Sequence, residues 1–214
     1  VTELSLPEYD NNHNSCIWGY MWGYDWNSAE KGDNISKPKT DADFTPLGLM
    51  NYSEVCFLKA EAALRGWQGA GDAKTNYENG IRASFEEMRA NAPKDSYSKS
   101  NDDKYISEGN VAWNNADSFE AKLEKIITQK WIGIYPNSEE AWAEFRRTGY
   151  PKLNPVKQSL EPTINPKNGE FIKKLRYVDN ELSNNKEYAT DPTLNGGQGD
   201  GLSVRVWWDT ARYK

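Results

Sequence analysis

The spacing of apolar residues changes character near residue 50. Before it, Val1 to Pro46 is rich in Gly, Asn, Asp, Ser and Pro and shows no helical period, which predicts loops and short extended pieces. After it, Met50 to Arg65 (MNYSEVCFLKAEAALR) repeats apolar or small residues at Val55, Leu58, Ala62 and Ala63, and Gly66 follows as a stop. Asp72 to Ala90 sets Ala73, Tyr77, Ile81, Phe85 and Met88 on one stripe, with Asp72 placed as the cap. The short link GWQGAG makes these two predicted helices antiparallel neighbours, and Ala60, Ala62 and Ala63 allow close backbone approach.

A second pair follows a stretch, Asn91 to Asn115, whose Pro93, Asp102, Asp103 and Gly109 predict a connecting loop pinned by Tyr105 and Ile106. The third helix is expected from Asp117, capped by that residue with Glu120 reaching back, through Phe119, Leu123, Ile126, Ile127 and Trp131 to Tyr135-Pro136. The fourth, Ser138 to Thr148, opens on Asn137 and Glu140 and ends at Gly149, with Pro151 beyond. Trp131, Trp142 and Phe145 fall on apolar stripes and are expected in the core. From Pro151 onward, coil with one short helix is expected. The fold class is therefore mainly α, with tetratricopeptide-like αα-hairpins and extensive irregular loops. Residues 1–49 form a loop-rich aromatic segment and 50–214 a helical region, together one domain.

Composition narrows the function classes. The mean hydropathy is low, −0.90, yet nine Trp, twelve Tyr and six Phe provide the apolar area a disordered chain would lack. A net charge of −6 argues against nucleic acid, which requires concentrated Lys and Arg. No run approaches the ~18 apolar residues of a membrane span, and VTELSLPEYD is not a signal peptide, so any anchor or export signal is expected upstream of Val1. The single histidine, His13, sits in an Asn-rich stretch and reads as a solvated loop residue, leaving no material for a His-based zinc site or a Ser-His-Asp triad. Cys16 and Cys56 have no metal-ligand spacing, and whether they pair stays open. Asp102 and Asp103 lack the spaced ligands of a calcium loop and read as a solvated acidic stretch. No cofactor and no metal is implied, and among thirty-two carboxylates none is singled out for glycosidase chemistry.

The most unusual local pattern is WGYMWGYDW, with Trp18, Tyr20, Trp22, Tyr24 and Trp26 at every second position. In an extended strand these rings share one face and could form a platform for the apolar faces of sugar rings. Gly19 and Gly23 weaken a regular strand, so packing into the helical core is the competing reading. Trp207 and Trp208 are adjacent, which turns one inward and one outward in an extended segment; Trp208 joins the candidate contacts. Arg146, Arg147 and Arg176 read as structural partners of carboxylates such as Glu144 rather than as anion binders.

The segments LKAEAALRGW, NYENGIRASFEE and ITQKWIGIYPNSEEAWAEFRRTGYPKL, followed by FIKKLRYVDNE, LNGGQGDG and VWWD, resemble in order the C-terminal part of SusD/RagB outer-membrane lipoproteins. The resemblance covers roughly Pro46 to Asp209; Tyr177-Val178 departs from a usual Tyr-Pro pair. Members are longer and begin with a lipidated Cys followed by further helices, so this chain is expected to be part of a longer protein. The resemblance implies a non-catalytic, cell-surface protein that captures oligosaccharides, polysaccharides or peptides and docks over a SusC-like TonB-dependent outer-membrane transporter, held to the membrane by a lipid anchor. The competing classes are a helical glycoside hydrolase or lyase and a tetratricopeptide-type protein-binding adaptor.

Overall fold

The computed structural model describes residues 49–91, 99–135, 137–155 and 158–209, together with the backbone of residues 24–25 and 37–38. Helices dominate. The one sheet among the described residues is a two-residue antiparallel ladder in which β1 (Tyr24–Asp25) pairs with β2 (Lys37–Pro38).

Helix α1 (Tyr52–Leu64) and helix α2 (Ala73–Asn91) form the first hairpin. Their antiparallel course is fixed by pairings that run in opposite directions. Ser53 Oγ donates to Glu87 near the end of α2, whereas Phe57 meets Gly80 and stands 6.4 Å, edge to face, from Tyr77 nearer its start. Gly66, at φ 75°, turns the chain out of α1, and Asp72 Oδ1 accepts from Thr75 N at 2.8 Å, the expected cap. Tyr77 is fully buried but keeps its hydroxyl satisfied by donating to the Val111 carbonyl at 2.8 Å.

The buried face of α1 is not the stripe expected from its apolar residues. Cys56, Phe57 and Ala60 point inward together with Ser53, Glu54 and Glu61, while Leu58 is exposed. The two carboxylates can face inward because basic partners from other helices meet them, and an apolar count cannot register that. On α2 the expected Tyr77 and Ile81 are buried, but Met88 near the end of the stripe is exposed.

The stretch expected to be loop contains a short helix, α3 (Asp102–Ser107), which drives Ile106 into the core and sets Tyr105 against Phe85 at 5.3 Å. Its acids are engaged. Arg89 donates both terminal nitrogens to Asp102 at 2.9 and 2.7 Å, and Arg82 reaches Asp103 at 3.1 Å. These ion pairs hold a six-residue helix that propensity alone would not sustain.

Helix α4 (Phe119–Gly133) is capped by Ser118, which accepts from Ala121 N at 3.2 Å, rather than by Asp117. Asp117 instead receives Lys125 Nζ at 2.7 Å. Helix α5 (Ser138–Thr148) starts and stops as expected, on Asn137 accepting from Glu140 N and on left-handed Gly149 at φ 77°. Hydrogen bonds from Tyr150 to Glu120 and from Lys152 to Glu124 bring the end of α5 back to the start of α4, making the second antiparallel hairpin. Trp131 is exposed and not in the core, Trp142 is half-buried, and Phe145 is buried. The principal core joins α1, α2, α3 and α4 through Phe57, Ala60, Tyr77, Ile81, Ile106, Leu123, Ile126 and Ile127.

Beyond Pro151 the chain is mostly irregular, with three short helices, α6 (Asp179–Asn184), α7 (Lys186–Ala189) and α8 (Leu194–Gly197), where one was expected. This tail holds itself together by bonds between distant strands of coil. Thr163 receives the Leu202 amide and the Ser203 hydroxyl, the amides of Lys173 and Lys174 donate to the Leu202 carbonyl, and Asp200 takes Lys174 and the Tyr177 amide. Ile164, Ala189, Leu194 and Val204 are buried beneath it. The fold is mainly α, tetratricopeptide-like hairpins followed by a long irregular tail, as the sequence patterns indicate.

Candidate functional site

Two clusters of charged side chains lie outside the ordinary surface, and they differ in how completely they are compensated. The first joins α1, α4 and α5. Lys130 is 1% exposed and places its ammonium 2.8 Å from Glu140, 3.0 Å from Glu144 and 3.4 Å from Glu54. Burial works against the charged ammonium, but Glu144 and Glu140 outweigh it and raise its pKa. Arg147 completes the network with a fork to Glu61 at 2.8 and 2.6 Å and a bond to Glu144 at 2.6 Å. Glu61 also receives Arg65 at 2.9 Å; burial alone would raise its carboxyl, and the Arg147 and Arg65 bonds bring it below the usual range. Every group here has partners from its own fold, so the cluster fastens three helices and offers nothing to a ligand.

The second cluster lies where the irregular tail crosses α5. Trp142 and Arg146 are one turn apart on that helix, so their side chains overlap, and the guanidinium lies 3.7 Å from the centre of the indole. Both anchor the tail: Trp142 Nε1 donates to the Ile172 carbonyl at 2.8 Å and Arg146 Nη1 to the Lys173 carbonyl at 3.1 Å. Trp208 arrives from later in the chain to set the centre of its ring 5.3 Å from the same guanidinium. Phe145 packs against Phe171 at 5.0 Å, and Lys173 holds its ammonium 4.8 Å from the Phe145 ring. Beside this stack Trp207 is 93% exposed.

This is an aromatic-lined surface bearing a highly exposed indole, the chemistry expected for stacking the apolar side of a pyranose. Of the expected contact residues, Trp208 lies in this cluster with its ring engaged by Arg146, and the outward member of the pair is Trp207. Trp18, Tyr20, Trp22 and Trp26 lie outside the described residues, as does the Tyr24 side chain, whose backbone belongs to β1. The Trp142–Arg146 stack was legible as an i,i+4 aromatic–cation pair in AWAEFRR, but Lys173 had no local signal, because the whole of residues 149–172 separates it from α5. Cys56 is a buried free thiol, and Cys16 and His13 lie outside the described residues. No group of three or more His, Cys, Asp or Glu suited to a metal occurs among the described residues, and no helix there is long and apolar enough to cross a membrane.

Comparison with solved structures agrees with this fold. A chitin-binding SusD homologue from Flavobacterium johnsoniae is 36% identical with a TM-score of 0.58, over 75% of this chain and 36% of its own. A SusD homologue from Bacteroides thetaiotaomicron is 33% identical with a TM-score of 0.60, over 73% of this chain and 37% of its own. A third, from Bacteroides uniformis, is 32% identical with a TM-score of 0.62, over 83% of this chain and 40% of its own. The chain thus spans well under half the length of these relatives. No curated protein matches it. The SusD-like family profile, described as Susd and RagB outer membrane lipoprotein, matches residues 6–209. With a match over nearly its whole length, the chain belongs to the SusD-like family of outer membrane lipoproteins.

Proposed function

We propose that the protein is a non-catalytic, glycan-capturing component of the bacterial outer-membrane surface. In this reading it is held by a lipid anchor and delivers oligosaccharides to a SusC-like TonB-dependent transporter. Membership of the SusD-like family supports the location and the partner, and the chitin-binding relative supports a glycan as the ligand. The observation that carries the reading to particular residues is Trp207, an almost fully exposed indole next in sequence to Trp208, whose ring meets Arg146. An exposed ring is open to a ligand without any unpacking of the fold, which suits a capture protein that must also release its ligand. The alternating Trp18, Tyr20, Trp22, Tyr24 and Trp26 remain a proposed second platform in the same role.

A glycan array probed with the chain tests the binding reading, and failure to retain any glycan would sink it. Incubation with the retained polysaccharide then separates capture from catalysis. The expected result is no growth of reducing ends, whereas sustained release would favour a glycoside hydrolase or lyase. Co-purification with a co-expressed SusC-like transporter tests the partner.

A further inference from the structure

We propose that the tail cluster around Arg146 and Lys173 takes an acidic sugar, binding the carboxylate of a uronate unit while Trp207 stacks on its ring. The proposal rests on the glycan-binding reading and narrows its ligand class. Its basis is a local imbalance of charge in a chain that is acidic as a whole, with a formal charge of −6. Several other half-buried cations of the fold have their acids: Lys125 meets Asp117, Arg89 meets Asp102, and Lys174 meets Asp200. Arg147, the immediate neighbour of Arg146, binds Glu61 and Glu144. Arg146 and Lys173, by contrast, have no carboxylate within ion-pair distance among the described residues.

The geometry of both cations is that of groups held ready by aromatic faces. Arg146 lies against both Trp142 and Trp208, uses Nη1 on the Lys173 carbonyl, and has its Nε buried without an acceptor. Lys173 rests on the Phe145 ring. The carboxylate that the tail brings nearby, Asp209, is bound to Arg205 at 2.5 Å and pulls on both Arg146 and Lys173 from beyond ion-pair distance. Burial first, then Arg205 and Arg146 against the opposing pull of Asp209, press the Lys173 ammonium toward its neutral form. Confined positive charge of this kind is relieved by an incoming anion. A uronate supplies it in the right place, because its carboxylate projects from the edge of the ring whose face stacks. A neutral pyranose could use Trp207 but would leave both cations as they are.

The test is a titration of the whole chain with methyl β-glucuronide, methyl β-glucoside and acetate, followed by the indole N–H resonances of the tryptophans at neutral pH and low salt. Single Trp→Phe variants assign the resonances. The glucuronide is expected to shift the Trp207 and Trp208 resonances with a Kd about fivefold or more below that of the glucoside, an advantage that salt erodes. In Lys173→Gln that advantage should fall to about twofold or less. Equal affinity for glucuronide and glucoside would overturn the acidic-ligand inference while leaving glycan capture intact. Acetate binding as tightly as the glucuronide would overturn it too, since the cluster would then hold an anion without a sugar. If the glucuronide shifts neither resonance, the inference is wrong, and the glycan array alone decides the broader reading.

Discussion

Individual side chains here separate cleanly into those that hold the fold and those that face outward. Trp207, 93% exposed, has no packing to lose, so Trp207→Ala should leave stability within about 0.5 kcal/mol of the parent in a urea melt. Its glycan affinity should fall several-fold in the same preparation. Trp208→Ala is the contrasting case: it removes the ring 5.3 Å from the Arg146 guanidinium and should cost about 0.5–1 kcal/mol in that melt. Gly80 shows the opposite extreme. A methyl group at this position would come within 2.7 Å of the Phe57 ring, itself 1% exposed with nowhere to withdraw. Alanine is ordinarily better than glycine inside a helix by about 1 kcal/mol, yet overpacking costs about 1–3 kcal/mol, so Gly80→Ala should destabilise on balance. A higher melting midpoint in Gly80→Ala would show that α1 and α2 can part to admit the methyl. The sequence pattern points to Ala60, Ala62 and Ala63 as the close-approach residues, and only Ala60 is fully buried. Gly80 is hidden from such a reading because a glycine inside a helical stripe gives no sign of which partner it admits.

At the scale of elements, the helices were legible where their ends and stripes are local. Asp72, Asn137 and Gly149 perform the capping that their positions imply. The inward face of α1 was not legible, because it is decided by residues far away in the chain: Glu54 faces inward only because Lys130 of α4 meets it, and Glu61 because Arg147 of α5 does. The same holds for α3, whose first residues are anchored by Arg89 and Arg82 of α2. The candidate site divides in the same way, its Trp142–Arg146 half written within one helical turn and its Lys173 half brought in by tertiary structure. If Lys130 fastens three helices, Lys130→Met should be among the costliest substitutions in the chain. It removes the common partner of Glu54, Glu140 and Glu144 and leaves carboxylates buried, a loss of about 3–5 kcal/mol. Chemical denaturation would measure it. A loss below about 1 kcal/mol would mean that Arg147 alone suffices to hold the junction.

For the molecule as a whole, the same junction couples folding to pH, and the sign follows from Glu61. Its carboxyl titrates lower in the folded protein than the ordinary value of about 4.3, because the Arg147 and Arg65 bonds outweigh the burial that would raise it. The folded state therefore holds on to fewer protons than the unfolded chain in the acid range. The stabilisation from Glu61 is complete above the unfolded pKa and is lost as the pH falls through the lower folded value. Lys130 acts at the other end of the scale. Its raised pKa gives stabilisation that is complete below the ordinary lysine value of about 10.4 and is lost only as the pH climbs through the higher folded value. Between these limits neither group changes charge, so the junction should add no pH dependence to stability across neutral pH, and stability should decline in acid. Glu61→Gln removes the titrating group but keeps its shape. Its stability at neutral pH should therefore be reduced, and its slope against pH below about 4.3 should be shallower than that of the parent. Urea midpoints collected from neutral pH down into the acid range check both features together. Parallel acid slopes in the two proteins would show that Glu61 is not protonated on unfolding and that the acid sensitivity arises elsewhere in the fold.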